Sequence, residues 1–521
     1  MRIAIVGSGT AGISVLKELV KYPAFNEMEV DLYDNPTNMG QGVPFQDDSD
    51  QLLINLPADQ MSLNIDHPQE FYEWVKSQNN DTWGEDKYLP RYVFGHYMRD
   101  YLQHYNKAFD NVHVIQKEVT EIYVDEPVGE TQFTYHVCTS TDMKSCKEYE
   151  VVFLTIGTLS YHDPYHLKGK EGFIASPYPT YKTLDKVHTK DRIAVVGTGL
   201  ASLDVIRHVV ENHEQLPIRV VSRSGSFPSV RGHMPKVSFK HMTPDAFNEI
   251  KHHNFGNVPL DKALELFLAD CKDYDVPVNE MIHRKQGDYL TDLTYDLEHP
   301  DVLGRFQSLL EHAKENMNWI WNSLSHQDQV QFLKRYHKIL KANSNPMPPE
   351  TAKLLIQHIQ DGKLDVSGGL SHIAYEDGHY VMSFEDDDKA QEYYDIIINA
   401  TGSKTQLKDL DRDDQLVINL ENRQLIQAHP LGGIQIVPET NQVVSPRFGT
   451  LQHMYAIGQL TNGVNQSRNG VNMLVKQAVS TVEHLMQEYD TVKLKIEGVN
   501  RNSPVRLERF NFNIAISIMK T

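Results

Sequence analysis

The sequence predicts an α/β protein made of two strand–turn–helix units, the second inserted in the first, together with a largely helical insertion. Three observations carry that prediction. A glycine-rich turn recurs in the same setting, as Arg2-Ile-Ala-Ile-Val-Gly-Ser-Gly-Thr-Ala-Gly12 and as Arg192-Ile-Ala-Val-Val-Gly-Thr-Gly-Leu-Ala-Ser202. Each copy leads into a helical pattern, Ile13 to Lys21 and Leu203 to Glu211, and then into a second β-rich run, Glu29 to Tyr33 and Ile218 to Ser222. From about residue 237 to 360 the alternation of strand and helix gives way to helical spacing.

The apolar runs ahead of each turn have no polar alternation, which is the pattern of strands buried on both faces of a parallel sheet. Two further runs, Val151 to Gly157 and Asp395 to Gly402, end in glycine and are expected to close the two sheets. Each unit thereby reads as a Rossmann-like βαβ beginning. The expected order is a first domain over 1–165, a second over 185–236 and 361–400, a helical insertion over 237–360, and the remainder of the first domain with the C-terminal tail over 401–521. Helices are expected at Asp261 to Cys271, Arg305 to Met317, Gln327 to Ala342 and Glu350 to Gln360. Strands with a turn at Asp377-Gly378 follow over Gly362 to Phe384. The tail after about 490 has no readable pattern.

Composition narrows the function. Lys and Arg number 50 and Asp and Glu 70, a formal charge of −20, so a polyanionic nucleic acid is excluded as the main partner. The three cysteines, Cys138, Cys146 and Cys271, have no CxxC spacing. Structural zinc and a thioredoxin-like pair are not expected, and no metal site is. The odd count argues against a disulfide framework and for a reducing compartment. Without a signal-peptide pattern or an apolar stretch of membrane-spanning length, the cytoplasm and no membrane association are expected.

Gly7, Gly9 and Gly12 form a GxGxxG turn between a strand and a helix, where the chemistry requires it. The first glycine permits the tight turn, the second lets a pyrophosphate approach the backbone, and the third lets helix and strand pack closely. The helix start, with Thr10 and Ala11, offers N–H groups and positive dipole to phosphate. Asp34, 22 residues after Gly12, can accept hydrogen bonds from a ribose diol. In the second turn Gly197 and Gly199 are followed by Ser202 in place of the third glycine. Ser222, Arg223 and Ser224 stand where an adenosine ribose would lie. A cation and two hydroxyls there suit a 2′-phosphate, so NADPH is expected over NADH, with Arg231 a second candidate cation. Gly402 completes the candidates for this nucleotide.

Gly40 to Phe45, Leu52 to Ala58, Met61-Ser62, Phe71-x-x-Trp74 and Leu89 to Gly95 resemble the bacterial FAD-NAD(P)-binding family. This is a group of two-dinucleotide flavoproteins related to the N-hydroxylating and Baeyer–Villiger monooxygenases. The resemblance continues at Ser222 to Gly225, Asn345 to Pro348, Asn399 to Gly402 and Tyr455 to Gly463. It implies FAD on the first unit. Gly40, Gln41, Gly42 and Asn55 would lie against the isoalloxazine, Asn55 and Gln41 being the flavin-proximal candidates, and Val119 and Gly157 would join the FAD set. Gly458 and Gln459 would stand where relatives place a Gly-Asp near the ribityl-phosphate, with Gln459 replacing the acid. A helix Val471 to Met486 would aim its N-terminus near the flavin pyrimidine.

Hydride passing from NADPH to flavin is then the expected reaction, and the flavin supplies the chemistry. This explains why no catalytic acid, base or nucleophile stands out. Reduced flavin reacting with O2 would make the chain a monooxygenase of a small metabolite, with an amine among the candidates. Phe173 to Pro179 lacks the histidine of the FxGxxxH signature, which counts against the Baeyer–Villiger and N-oxide classes. A reductase passing electrons to a quinone or other organic acceptor, and a flavin-binding sensory protein, are the competing readings. His233, His241, His252, His253, Arg335 and His337 could line a polar pocket, though ordinary surface or core roles are expected for each. Phe71, Tyr72 and Trp74 read as core.

Overall fold

A computed structural model describes residues 1–78, 88–125, 133–140, 142–187, 191–212, 217–285, 287–386 and 390–496. Two parallel sheets organise them. The first has the strand order Gln442–Ser445, Gly449–Ala456, Val151–Leu154, Arg2–Val6, Glu29–Tyr33, Val112–Ile115, and only its terminal hairpin is antiparallel. The second has the order Leu364–Ser367, Ile218–Val221, Ile193–Val196, Ile396–Asn399, Phe173–Ile174 and is parallel throughout.

Both closing strands foreseen from sequence take their places: Val151–Leu154 pairs with Arg2–Val6, and Ile396–Asn399 with Ile193–Val196. The second sheet also takes in Phe173–Ile174, which lies ahead of the expected boundary at 185. That strand is too short to carry a readable pattern.

Side-chain alternation explains why the central strands are uniformly apolar. Ile3 and Ile5 enter one core, with the helices Thr10–Val20, Arg91–Ala108 and Val471–Ile496. Ala4 and Val6 enter another, with the antiparallel strands Glu121–Asp125, Thr134–Cys138 and Cys146–Tyr149. The second sheet repeats the scheme. Ile193 and Val195 face the helical side, and Ala194 and Val196 face a three-stranded antiparallel sheet, Leu370–Glu376, His379–Phe384 and Glu392–Tyr394. Its hairpin turns at Asp377 (φ 48°) and Gly378 (φ 85°), the left-handed pair that matches strand twist.

The insertion is built of helices, from Pro244–His253 to Pro349–Gln360, with their own core around Phe247, Phe306 and Trp321. The expected helix over 327–342 is two, His326–Arg335 and His337–Ser344, separated at Tyr336. The insertion is docked on both domains. Trp321 Nε1 donates to the Gly463 carbonyl (2.8 Å) in the first domain. Lys285 Nζ donates to the Phe227 carbonyl (2.6 Å) beyond the Ser222–Gly225 turn of the second.

The expectation drawn from cysteine count is overturned. Cys138 and Cys146 face each other across adjacent antiparallel strands and are joined as a disulfide, while Cys271 is free and buried. An odd count cannot exclude one bridge, and with this bridge the cysteines lose their value as a sign of compartment. No described helix is long and apolar enough to cross a membrane.

Burial lowers the Lys285 ammonium from its ordinary 10.5 to about 8. Below pH 8 both folded and unfolded chains hold the proton, and the folded chain bears the full desolvation cost. Between about 8 and 10.5 only the unfolded chain holds it, so stability rises with pH, by a few kcal/mol at most. Denaturant titrations at several pH values are expected to show this rise in the native chain and its loss in Lys285→Met.

Candidate functional site

The first glycine turn is fixed by close backbone approach. A β-carbon on Gly7 (φ 101°) would lie 2.3 Å from the Thr155 carbonyl oxygen, and one on Gly12 would lie 2.0 Å from that of Gly7. Gly9 caps the helix Thr10–Val20, and Gly42 (φ 66°) lies against it; a β-carbon on Gly42 would be 3.1 Å from Gly9 Cα. The segment Gly40–Gly42 therefore covers the turn. Its anchor is Ser8, whose Oγ accepts from Gly40 N (2.8 Å) and donates to Asp34 (3.0 Å).

Asp34 also accepts from Ser8 N (2.7 Å) and Asn35 N (2.9 Å). Three of its four acceptor positions are thus spent fastening the turn, which leaves one for a ribose hydroxyl. Burial raises its pKa against the pull of those Ser8 bonds. Gln41 is buried. Its Nε2 donates to the Thr37 carbonyl (2.6 Å), and its Oε1 has no partner among the described residues. Thr10 and Ala11 are buried in the first turn of the helix, and Val119 sits in the apolar core beside Tyr33. Gly157 (φ 76°) faces open space.

Half-buried Asn55 lies in a loop held by paired backbone bonds, Ile54 N to Leu89 O and Arg91 N to Leu52 O, each 2.8 Å. Asn472 Nδ2 donates to Gln60 O (3.0 Å), tying that loop to the start of the helix Val471–Ile496. Beside that start, Gly458 (φ 99°) and Gln459 form a turn. Gln459 Oε1 accepts from Asn462 Nδ2 (2.8 Å) and Asn469 Nδ2 (3.1 Å), so its own NH2 is uncommitted among the described residues. The sequence reading passed over Arg468, directly ahead of this helix. It is buried, its Nε is unpartnered, no carboxylate pairs with it among the described residues, and burial lowers its pKa. The signal available was a cation two residues before a glycine that opens a helix.

The second turn has the same backbone logic with a looser mouth. A β-carbon on Gly197 (φ 124°) would lie 2.5 Å from the Ala400 carbonyl oxygen, whereas at Gly199 and at Gly402 (φ 94°) it would meet nothing within 4 Å. Ser202 replaces the third glycine without loss, because its Oγ donates to Gly199 O (2.7 Å). Ser222 Oγ bridges Thr198 Oγ1 (3.2 Å) and Gly225 N (2.8 Å), which sets the following turn beside the glycine loop. Arg223 and Ser224 are exposed there, and the Arg223 guanidinium pairs with no described residue. Arg231 lies at the junction with the helical insertion. Its backbone N donates to Met347 O (2.8 Å), its Nη1 contacts Met234 Sδ, and Tyr88 and the Glu311 carboxylate lie near its guanidinium.

The histidines do not converge on a pocket. His233 pairs with Asp301 and His241 with Asp273 at the surface, and His252, His253 and Arg335 are exposed. His337 is half-buried, with a pKa lowered by burial. Phe71 and Trp74 stack with Phe94 and Tyr97 as core.

Sequence reasoning also missed the contact between the two units. Arg91 Nη2 reaches Asp204 Oδ2 (2.7 Å) and Oδ1 (3.0 Å) on the helix Leu200–Asn212, while its Nε donates to Leu53 O (3.2 Å). Tyr178 OH donates to the same carboxylate. Arg207 Nε, on that helix, donates to Gln51 O (2.9 Å). Nothing in the spacing of residues 91 and 204 announces the pairing.

Gly12→Ala is expected to lose bound flavin and to melt at lower temperature, because its methyl group has no space. Gly402→Ala has space and meets only its backbone strain, about 1 kcal/mol. Flavin absorbance of the purified variants and their melting curves measure both effects.

Residues 4–159 match the FAD-NAD(P)-binding family, and residues 84–255 match the L-lysine 6-monooxygenase/L-ornithine 5-monooxygenase family. Curated protein sequences give no significant match. Among solved structures, the ornithine N-hydroxylase of Kutzneria sp. 744 is similar at a TM-score of 0.59 and 13% identity, over 94% of this chain and 99% of that one. The L-lysine 6-monooxygenase of Pseudomonas syringae is similar at 0.58 and 14%, over 93% and 99%. The cadaverine monooxygenase of the desferrioxamine pathway of Erwinia amylovora is similar at 0.53 and 14%, over 98% of both chains. The chain therefore has the fold of the N-hydroxylating flavin monooxygenases, built on a FAD-NAD(P)-binding N-terminal segment.

Proposed function

We propose that this protein is an FAD- and NADPH-dependent monooxygenase that hydroxylates the terminal amine of a small aliphatic metabolite. The observation that carries the reading is the placement of two glycine-turn helices. The helix after Gly199 is bonded directly to the loop that contains Asn55, through Arg91 and Arg207. A nicotinamide on one turn would thereby be delivered to a flavin on the other. The match of residues 84–255, which span that junction, supports an amine substrate. So do the substrates of the similar structures: ornithine, lysine and cadaverine each carry a terminal primary amine.

The chain's own groups fit both nucleotides. Gly7, Gly9 and Gly12, with the N–H groups of Thr10 and Ala11, would hold the FAD pyrophosphate, and Asp34 has one acceptor position left for its ribose. Gly40, Gln41, Gly42 and Asn55 would border the isoalloxazine. Among the described residues, Gln459 has an uncommitted NH2 and Arg468 is a buried cation paired with no carboxylate, which suits an anionic cofactor. Gly197, Gly199 and Ser202 would hold the NADPH pyrophosphate, with Arg223, Ser222 and Ser224 at its 2′-phosphate. Bound flavin supplies the redox chemistry, accepting hydride and activating oxygen. The overall conversion balances as R–NH2 + O2 + NADPH + H⁺ → R–NHOH + NADP⁺ + H2O. The role left to the protein is to position both rings and keep water from them.

A yellow protein bleached faster by NADPH than by NADH, and forming a hydroxylamine from a terminal diamine or ω-amino acid only in the presence of O2, is the expected result. A colourless protein that takes up no flavin would overturn the reading. So would turnover with a quinone that is undiminished without oxygen. Arg223→Ala is expected to weaken NADPH about 10- to 100-fold and to leave NADH nearly unchanged, as the loss of a charge-assisted phosphate contact does. Titration of both nucleotides against the variant decides this assignment.

A further inference from the structure

We infer that Arg91 is the positioning residue that sets the approach of nicotinamide to flavin, acting through Asp204 and Leu53. The inference rests on the two-nucleotide reading above. It goes beyond it by naming the group that sets the distance between the two cofactors.

Three segments meet at one guanidinium. Its Nε holds the Leu53 carbonyl, two residues from Asn55 in the loop proposed to border the isoalloxazine. Its Nη2 spans both oxygens of Asp204, on the first turns of the helix that follows Gly199. Tyr178, from the loop that follows the strand Phe173–Ile174 of the second sheet, donates to the same carboxylate, and its OH lies 3.5 Å from Arg91 Nη1. Asp204 is 4% exposed. Burial raises the Asp204 pKa, and the Arg91 charge counters this. Burial opposes the charge of the Arg91 guanidinium, and Asp204 with Tyr178 and Tyr161 together outweigh it and hold the group charged.

Such a pair is a poor choice for stability alone. Taking two charges out of water cancels most of their attraction, and an apolar contact of equal volume would hold two domains together as well or better. What an apolar contact lacks is direction. The planar fork of arginine fixes distance and angle at once, and here one fork fixes the flavin-side loop against the nicotinamide-side helix. In the step it serves, a hydride with its electron pair leaves the nicotinamide C4 of NADPH for N5 of oxidised flavin, giving NADP⁺ and reduced flavin. That transfer is sensitive to misplacement of about 1 Å, which can cost about 100-fold.

The test uses the full-length, flavin-loaded protein and two hydride donors: NADPH, which must be held by the second domain, and a small N-alkyl dihydronicotinamide, which need not be. Arg91→Met, Asp204→Asn and the milder Tyr178→Phe are compared with the native chain by anaerobic rapid mixing. In parallel, FAD content, NADP⁺ affinity and the long-wavelength charge-transfer absorbance of a nicotinamide stacked on flavin are recorded. Arg91→Met and Asp204→Asn are expected to keep FAD and to lose the charge-transfer band. Reduction by NADPH should fall about 100-fold while reduction by the small donor changes less than about twofold. Tyr178→Phe should give a smaller loss of the same kind, and it keeps the ion pair if the others fold poorly. Equal slowing with both donors, or no slowing with either, overturns the positioning role while leaving the proposed function standing. A native protein that binds flavin but is not reduced by NADPH removes the proposed function, and this inference with it.

Discussion

Backbone packed against backbone is the constraint on which the molecule depends. At Gly12 and at Gly7 the turn and the end of the neighbouring parallel strand, at Thr155, approach so closely that a single methyl group has no place. The same is true where Gly197 meets Ala400. These approaches fix the start of each helix, where N–H groups without an intrahelical partner would face a bound phosphate. Everything else in the two domains holds these turns steady. Ser8 and Asp34 do so in the first, and Ser202 and Ser222 in the second.

The central strands and glycine turns were legible in the sequence because their causes are local. Uniform burial leaves a uniformly apolar run, and a turn that excludes Cβ leaves glycine. The helical insertion was legible for the same reason, since a face buried in its own core repeats at helical spacing. The break at Tyr336 was not, because the apolar periodicity runs on through it. Two antiparallel sheets that cover the second face of each parallel sheet were only half visible. One announces its hairpin at Asp377-Gly378, and the other has no comparable turn among its described residues.

Within the candidate site, the residues that make the cradles were readable and those that join them were not. Asp34 was found by its distance from the turn, but its engagement with Ser8 depends on how the chain closes. Arg231 was chosen for its charge and its nearness in sequence to Ser222, and its backbone bond to Met347, across the helical insertion, had no signal in the spacing. Arg91 and Asp204 lie 113 residues apart, on helices that pack against different sheets. A pairing of that kind has no period and no motif. Cys138 and Cys146 were misjudged because a count says nothing of register, and register places them opposite each other.

The order of strands in the first sheet has a consequence for how the chain is made. Val152 finds its neighbour in Met454, after the whole second domain has intervened. On a ribosome the inner domain, complete by Asn399, can collapse while the outer one still lacks its hairpin Gln442–Ala456 and its closing helix. The first glycine turn must then wait, half-built and with its apolar strands open on one edge. Completion of the first cradle therefore depends on strand pairing across a long stretch of chain, which is intrinsically slow to form.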